Sequence, residues 1–218
     1  MHKVEEVDVM ENLIEANRRL AEDVRRLLED HGIKGIEVMG SIGSGKTALV
    51  EELIKRNPDV SFAVLAGDVV SDYDEERYRK LNVPVVGLNT GRECHLDAHL
   101  VEHGLEHLSE EVDLNDVDVL FVENVGNLVC PTDFPLGMHE RVLVVSATEG
   151  EDVIPKHPAI VKAADVIVVN KIDLAEACGV DVDALVEAAE EINPSADVFA
   201  VSVKTGEGLE GLERRLLG

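Results

Sequence analysis

A glycine-rich segment, GSIGSGKT at positions 40–47, has the spacing of a Walker A phosphate-binding loop. It follows an apolar run and opens a helical pattern, which is the context that such a loop requires. There, backbone amides converge on phosphate oxygens, Lys46 neutralises the β and γ phosphates, and Thr47 supplies a Mg²⁺ ligand. The alternative is a glycine-rich turn that exposes a lysine. The predicted nucleotide contacts of this segment are Gly43, Ser44, Gly45, Lys46, Thr47 and Ala48.

An acidic residue ends a later apolar run, VDVLFVE, at Glu123. A Walker A loop requires a carboxylate at the end of a neighbouring strand to orient Mg²⁺. The spacing from Glu123 to Gly126 is similar to the D-x-x-G of GTPases, so we expect Glu123 to act on Mg²⁺ through water and the Gly126 amide to sense the γ-phosphate. Asp68 and Asp74 lie where a switch loop would run, and Asp74 is predicted as a further Mg²⁺ contact, against the alternative of a solvated acid. The predicted catalytic residues are Lys46, Thr47 and Glu123.

A third motif, Asn170-Lys171-Ile172-Asp173, directly follows the apolar run VIVV, at the place where GTPases carry N-K-x-D. The Asp173 carboxylate would accept from guanine N1–H and from the exocyclic amine, whereas adenine would leave it unpaired. Lys171 is expected along the base, and Asn170 is expected to tie this loop to the phosphate loop. The segment SVKTG resembles the second guanine loop of GTPases. Its predicted contacts are Ser202, Val203 and Lys204.

Thiol and imidazole side chains occur in two segments, with Cys94, His95 and His99 in the first and Cys130 in the second. Such donors bind Zn²⁺, Ni²⁺ or copper, whereas the Mg²⁺ of a nucleotide takes oxygen ligands, so two different metal sites are predicted. Water or a second copy of the chain would complete so sparse a site. Small buried cysteines and surface histidines without a metal are the neutral alternative. Cys178 is expected to be buried without a role.

The two sites share one stretch of chain. A γ-phosphate that repositions Gly126 must also move Val129 and Cys130, which follow within a few residues. Nucleotide state is therefore predicted to change metal affinity.

The elements that position these motifs alternate between apolar runs and helical patterns. An amphipathic helix is predicted from Val9 to His31, with Leu13, Leu20, Val24 and Leu27 on its apolar stripe and Gly32 as its stop, and it is expected to dock on its own domain. The continuous apolar runs favour central parallel strands covered on both faces. We predict an α/β fold with a doubly wound, mostly parallel sheet of about seven strands and ligands at the strand carboxyl ends. The predicted strands are 35–39, 61–66, 84–88, 117–122, 141–146, 166–169 and 197–201.

Length and charge narrow the class of protein. With 218 residues, one domain is expected, made of an N-terminal helix at 1–32 and a P-loop GTPase body at 33–218. A formal charge of −25 repels phosphate backbones and anionic lipids, so neither nucleic acid nor a membrane is an expected partner. Three cysteines and the lack of a secretory signal or a long apolar stretch favour the cytoplasm.

Several segments together resemble the HypB family, the GTPases that assist nickel insertion into nickel–iron hydrogenases. They are GSIGSGKT, GDV, LNTGRECHLDAHLV, ENVGNLVCP, HPAIVKAADVIVVNKIDL and SVKTGEG, and the pair ECHLDAH and ENVGNLVCP is the most specific. The resemblance implies a SIMIBI-like G domain that binds GTP, Mg²⁺, and Ni²⁺ or Zn²⁺. It implies that Cys94, His95 and Cys130 are metal ligands, with His99 as a further candidate. It also implies a GTP-dependent homodimer that works with a hydrogenase large-subunit precursor and other maturation proteins.

The sequence also lacks some features found in family members or other GTPases, and two alternative protein classes stay open. The start MHKVEEVDVMENL lacks the Cys-rich or His-rich arm of some family members, so metal handling is expected to rest on the domain itself. With no obvious glutamine or arginine finger, slow GTP turnover is expected. A urease-type nickel GTPase has a Cys-Pro-His motif where this chain has Cys130-Pro131-Thr132, and a P-loop kinase with a structural zinc clip would not need N-K-x-D.

Overall fold

The computed structural model describes residues 2–68, 73–91 and 94–218. Within these ranges, side chains are described from residue 11 onwards, except at positions 68 and 73. The side chain of Asp68, one of the two predicted switch acids, therefore lies outside the described part.

The described residues form one seven-stranded sheet in which each pair of neighbouring strands is parallel, in the order β3-β2-β4-β1-β5-β6-β7. This confirms the predicted fold class, and each predicted strand matches one observed strand to within two residues at either end. The strands are β1 Lys34–Gly40, β2 Phe62–Asp68, β3 Val85–Asn89, β4 Val119–Glu123, β5 Glu140–Ser146, β6 Val166–Asn170 and β7 Asp197–Ala200. The α-helices are α1 His2–His31, α2 Lys46–Arg56, α3 Tyr73–Arg79, α4 Ala98–Glu111, α5 Val153–Lys156, α6 Pro158–Ala163, α7 Ala175–Cys178, α8 Val182–Ile192 and α9 Leu209–Leu217.

Helices cover both faces of the sheet because successive strand residues point to opposite sides. Ile36 and Val38 of β1 belong to a core shared with α2 and α9. Met39, the next residue, belongs to the opposite core, which includes α6 and α8. A third cluster buries α1 and α4 against the β2 and β4 side of that same face. Because the strands are parallel, the carboxyl ends of β1, β4 and β6 lie at one edge of the sheet, where the predicted motifs meet.

The N-terminal helix docks on its own chain, as predicted, but its buried face differs from the predicted stripe. Leu13 and Leu27 are 55% and 38% exposed. The buried positions are Asn17, Ala21, Val24 and Leu28, which recur at helical spacing. The prediction followed hydrophobicity alone and missed Asn17, whose side chain is buried because it bonds to two backbone groups across the chain.

Those two bonds fix the helix. Asn17 Nδ2 donates to the carbonyl of Pro135 at 2.9 Å, and Asn17 Oδ1 accepts from the amide of Ala98 at 2.8 Å. Ala98 is the first residue of α4, so α1 is tied directly to the segment that follows Cys94 and His95. In the part of the chain that the structure describes, no helix has the length and apolar character needed to span a bilayer.

Candidate functional site

The phosphate-binding loop connects β1 to α2, and its glycines adopt conformations that other residues rarely take. Gly43 and Gly45 have φ values of +81° and +101°, in the left-handed region that glycine occupies at little cost. A Cβ atom at Gly45 would also lie 2.4 Å from Asn170 Nδ2. Lys46 begins α2, and its Nζ donates to the carbonyl of Ser41 at 3.1 Å across the loop. The loop therefore brings the ammonium group of Lys46 and the N-terminus of α2 close together.

This loop lines a cleft of about 430 Å³. The lining residues are Ile42, Gly43, Gly45, Lys46, Thr47, Ala48, Gly67, Asp74, Arg77, Glu123, Asn124 and Gly126. A Cβ atom at Gly43 would meet nothing within 4 Å, so the cradle is open on that side. Backbone amides, the ammonium group of Lys46 and the helix N-terminus suit a polyphosphate. The hydroxyl and carboxylate oxygens of Thr47 and Glu123 suit Mg²⁺.

Glu123 lies at the end of β4, 3% exposed, with both carboxylate oxygens engaged. Oε1 accepts from Thr47 Oγ1 at 2.8 Å, and Oε2 accepts from the hydroxyl of Tyr78 at 2.5 Å. Burial raises the pKa of Glu123 above its ordinary value, opposed by the charge of Lys46 and the two hydrogen bonds. Burial, together with the Glu123 charge, also raises the pKa of Tyr78 well above that of an exposed phenol, so Tyr78 stays protonated as a donor. The structure thus places the predicted acid beside the predicted metal-binding hydroxyl.

Asp74, the other predicted Mg²⁺ contact, lines the same cleft from α3. Its Oδ1 lies 3.7 Å from Arg77 Nη1. Arg77 is held by Glu51 of α2 through two hydrogen bonds of 3.0 and 2.8 Å. Asp74 therefore shares a cleft with the phosphate loop, and its Mg²⁺ role stays a prediction.

The base-recognition loops lie at the ends of β6 and β7, next to the phosphate loop. Asn170 Nδ2 donates to the carbonyl of Ser44 at 3.0 Å, and its Oδ1 accepts from the amide of Lys171 at 2.7 Å. Lys171 adopts a left-handed conformation at φ +60°, and its ammonium group donates to the carbonyl of Gly43. Asn170 therefore ties the two loops together, as the sequence predicts for this asparagine.

The second loop positions the carboxylate that would read the base. Ser202 Oγ donates to Asp173 Oδ1 at 2.7 Å, and Lys204 Nζ lies 3.9 Å from Asp173 Oδ2. The amide of Val203 lies 3.4 Å from Asn170 Oδ1. The Asp173 side chain is 15% exposed, so a base seated on it would complete its burial. These contacts bring together all the residues that the sequence predicts for guanine.

Cys94, His95 and Cys130 lie close enough together to hold one metal ion, and this set is called the thiol group. One donor atom from each lies within 4.8 Å of the other two, and the two Sγ atoms are 2.8 Å apart. Cys94 is exposed, whereas His95 and Cys130 are partly buried. The His95 ring packs on Phe134, with ring centroids 4.1 Å apart. Two thiols and one imidazole at this spacing match the donor sets of Zn²⁺ and Ni²⁺, with room for further ligands on the exposed side.

Two other predicted residues lie elsewhere. His99 is on the exposed face of α4, outside the group formed by Cys94, His95 and Cys130, and its ring contacts that of His103. Its role as a ligand of that group stays a prediction. Cys178 is exposed at the end of α7, so the expectation that it is buried is wrong. The reason is that α7 is a single turn closed by Gly179 at the surface.

One asparagine connects the phosphate loop to the thiol group. The amide of Asn127 donates to the carbonyl of Gly40 at 3.1 Å. Its side-chain Oδ1 accepts from the amides of Val129 and Cys130 at 2.7 and 3.3 Å. A Cβ atom at Gly126 would lie 2.4 Å from the Ile42 side chain, so the chain passes directly over the phosphate loop. Asn127 therefore contacts both the phosphate loop and the turn that carries Cys130.

A buried polar network supports the other side of the thiol group. Asn124 is 1% exposed; its Oδ1 accepts from the amide of Leu96 at 3.0 Å, and its Nδ2 donates to Glu37 Oε1 at 2.8 Å. Arg141 donates to Glu37 Oε2 at 3.1 Å and to the carbonyl of Pro131 at 2.9 Å. Burial raises the pKa of Glu37, and the charge of Arg141 is the main opposing influence. The network thus holds Leu96, next to His95, and Pro131, next to Cys130.

Sequence reasoning missed the residues of this network, and some of them carried a signal. Glu37 is a single charge inside the apolar run GIEVM, and Arg141 opens the apolar run RVLVVS. A charge within a buried strand requires a partner of opposite charge. An ion pair between Glu37 and Arg141 could therefore have been predicted from the sequence. Tyr78 and Phe134 carried no such signal, because their contacts join segments far apart in the chain.

A family model and a curated relative both match most of the chain. A family model described as "CobW/HypB/UreG, nucleotide-binding domain" matches residues 35–200. The chain is 52% identical over 211 residues to a "probable hydrogenase maturation factor HypB" of Methanocaldococcus jannaschii, covering 96% of this chain and 94% of that protein.

Solved structures give the same result. The crystal structure of the hydrogenase maturation factor HypB from Archaeoglobus fulgidus superposes with a TM-score of 0.85 at 46% identity, covering 92% of this chain and 97% of that one. HypB from Helicobacter pylori, solved in complex with nickel, superposes with a TM-score of 0.88 at 33% identity, covering 93% and 94%.

Proposed function

Because the chain belongs to the CobW/HypB/UreG family and within it to the HypB hydrogenase maturation factors, we propose that it is a GTP-hydrolysing metallochaperone for nickel. In this role it binds GTP at the strand ends and Ni²⁺ at Cys94, His95 and Cys130. It then assists nickel insertion into the large-subunit precursor of a nickel–iron hydrogenase, together with other maturation proteins.

Nucleotide hydrolysis relies on positioning and on neutralisation of charge. Lys46 and the loop amides hold the β and γ phosphates, while Thr47 and Glu123 hold Mg²⁺, with Asp74 as a candidate contact from the switch side. Bound Mg²⁺ neutralises the charge that develops between the β and γ phosphates. The 218-residue sequence contains no glutamine to orient the attacking water. Turnover by the isolated protein is therefore slow and dependent on Mg²⁺.

Selection of guanine follows from Asp173. Its carboxylate is held by Ser202 in the loop that follows β6, where it accepts from guanine N1–H and from the exocyclic amine. Adenine offers no such pair of donors, so an adenine nucleotide would leave the carboxylate desolvated without partners.

The contacts of Asn127 carry the proposal that GTP controls the metal. Asn127 binds the phosphate loop through Gly40 and caps the turn at Cys130, so the γ-phosphate and the thiol act on the same residue. When the γ-phosphate departs, this segment relaxes and Cys130 moves relative to Cys94. The donors serve Ni²⁺ and Zn²⁺ alike, so Zn²⁺ competes for the same site.

A second copy of the chain completes the coordination in the GTP state. The thiol group of one copy supplies three donors, whereas Zn²⁺ in a closed protein site takes four. Two large apolar side chains lie exposed beside the site, with Ile42 86% exposed on the phosphate loop and Val129 64% exposed next to Cys130. Both are covered when a GTP-bound homodimer forms over this edge.

The test is a measurement of Ni²⁺ affinity by competition with a chromophoric chelator, in the GDP-bound and GTP-analogue-bound protein. We expect at least about a fivefold difference, the lower limit of typical allosteric coupling. Asn127→Ala should reduce that difference while Ni²⁺ still binds, and Asn115→Ala, an exposed asparagine outside the site, should not. Equal affinity in the two nucleotide states of the unmodified protein would refute the proposal.

A further inference from the structure

Three histidines form a row along one face of α4, apart from the thiol group. His99, His103 and His107 are four residues apart, and their side chains are 59%, 53% and 67% exposed. The opposite face of the helix is buried in the core through Val101, Leu105 and Leu108, among others. The row therefore faces outward on a helix that is fixed in place.

Residues four apart on an α-helix lie about 6 Å apart along the axis and share one face, which lets two imidazoles bind one ion. The structure already places the His99 and His103 rings in contact, with centroids 4.5 Å apart. His103 therefore has a histidine neighbour one turn away in each direction.

Each histidine of the row also has its own carboxylate three residues on. The distances from Nδ1 to the nearest carboxylate oxygen are 3.9 Å for His99 and Glu102, 3.1 Å for His103 and Glu106, and 3.8 Å for His107 and Glu110. In metal sites, such a carboxylate accepts from Nδ1–H and leaves Nε2 as the ligand. The arrangement is repeated at each turn, so each of the three imidazoles has a carboxylate near its Nδ1.

We propose that this row is a second metal site, in which His103 and either His99 or His107 bind one divalent ion of the borderline class, such as Ni²⁺, Cu²⁺ or Zn²⁺. Imidazole suits these ions better than it suits Mg²⁺ or Ca²⁺. Water completes the coordination because the face is exposed. The acidic surface of a chain with a formal charge of −25 raises the local concentration of cations. Metal binding at this row requires neither Cys94 nor Cys130, and it requires no nucleotide.

The test removes the thiol group first. In the full chain with Cys94→Ser and Cys130→Ser, titration with Ni²⁺ alone in a calorimeter should show one remaining equivalent. Adding His103→Gln, which breaks both pairs, should weaken that binding by about tenfold or more, a factor set by the loss of one of two ligands. His107→Gln alone should weaken it less, because the pair of His99 and His103 remains.

Controls separate this site from scattered weak binding. His157→Gln, a histidine outside the row, should leave the Ni²⁺ affinity unchanged. In proton spectra, Ni²⁺ should broaden the ring signals of the row before that of His157. All three histidines are exposed, so circular dichroism should be the same in each variant.

The proposal is overturned if the double cysteine variant binds no Ni²⁺, or if its binding does not respond to His103→Gln. A negative result for the histidine row does not bear on the proposal that GTP controls metal binding at the thiol group, because that proposal is tested with the cysteines intact. Failure of the GTP-linked proposal likewise leaves the histidine row untouched, because the row is measured without nucleotide.

Discussion

Replacing Asn124 with alanine should loosen the turn that carries Cys94 and His95. The Asn124 side chain is buried and forms bonds to the amide of Leu96 and to the Glu37 carboxylate, at 3.0 and 2.8 Å. Alanine keeps the backbone bond from residue 124 to the carbonyl of Val38 but removes both of these contacts. The Leu96 amide, one residue from His95, then loses its hydrogen-bond acceptor.

The size of the effect follows from those two contacts. A buried amide left without an acceptor costs about 1–3 kcal/mol, and a hydrogen bond to a charged acceptor is worth about 1.5–3 kcal/mol. Relaxation and water entry recover part of this, so we expect the free energy of unfolding to fall by about 2–5 kcal/mol. Substitution of a residue that orients metal ligands typically lowers metal affinity by about 10–100-fold. Ni²⁺ binding at the thiol group should therefore weaken within that range.

Urea unfolding and chelator competition, both in the presence of GDP, measure the two effects. Asn115→Ala is the matched control, because this asparagine is exposed and its side chain bonds to Asp113 outside the network. The loss of unfolding free energy expected for Asn124→Ala approaches the total stability of a small domain, so this variant could fail to fold. Arg141→Lys therefore serves as a second, milder variant. Lysine keeps the charge beside Glu37 but lacks the second arm that reaches the carbonyl of Pro131.

If both variants unfold more easily yet bind Ni²⁺ as tightly as the unmodified protein, the network stabilises the fold without positioning the metal ligands. If neither property changes, the hydrogen bonds of Asn124 and Arg141 carry little energy. With Arg141→Lys, guanine nucleotide affinity should change less than metal affinity, because Arg141 does not line the cleft at the phosphate loop.

Two further predictions concern the nucleotide cleft. Asp173→Ala removes the acceptors for both guanine donors. At about 1.5–3 kcal/mol for each bond to a charged group, GTP affinity should fall by about 10²–10⁴-fold in a fluorescent-nucleotide displacement assay. An unchanged affinity would place the base elsewhere. Burial raises the pKa of Glu123 in the folded protein above its ordinary value of 4.5. Protonation of Glu123 therefore stabilises the folded state fully below about pH 4.5, and this stabilisation is lost as pH rises through the raised pKa. Glu123→Gln should therefore flatten the dependence of the urea midpoint on pH above 4.5 in nucleotide-free protein, and a slope equal to that of the unmodified chain would contradict this.

Much of the fold and part of the site could be read directly from the chain. Continuous apolar runs specify strands covered on both faces, and all seven were located because this pattern is local. The glycines of the phosphate loop and the position of Asp173 after a strand are local as well. For such motifs, spacing and residue type are sufficient because each acts within one turn of chain.

The predicted helix stripe shows where local reasoning stops. Leu13 and Leu27 have the hydrophobicity of core residues, yet the buried face runs through Asn17 because distant carbonyl and amide groups satisfy its side chain. Hydrophobic pattern places a helix on the core, but cross-chain hydrogen bonds decide how it is rotated.

Tertiary structure alone decided how the parts of the site are connected. Residue types specify that thiols and imidazole bind a transition metal and that lysine and glycine bind phosphate. That Asn127 contacts both the phosphate loop and Cys130, and that Glu37 and Arg141 hold the two arms of the thiol group, depends on parallel strands ending at one edge of a sheet. Such contacts join residues far apart in sequence, and no local pattern specifies which of many buried polar groups will meet.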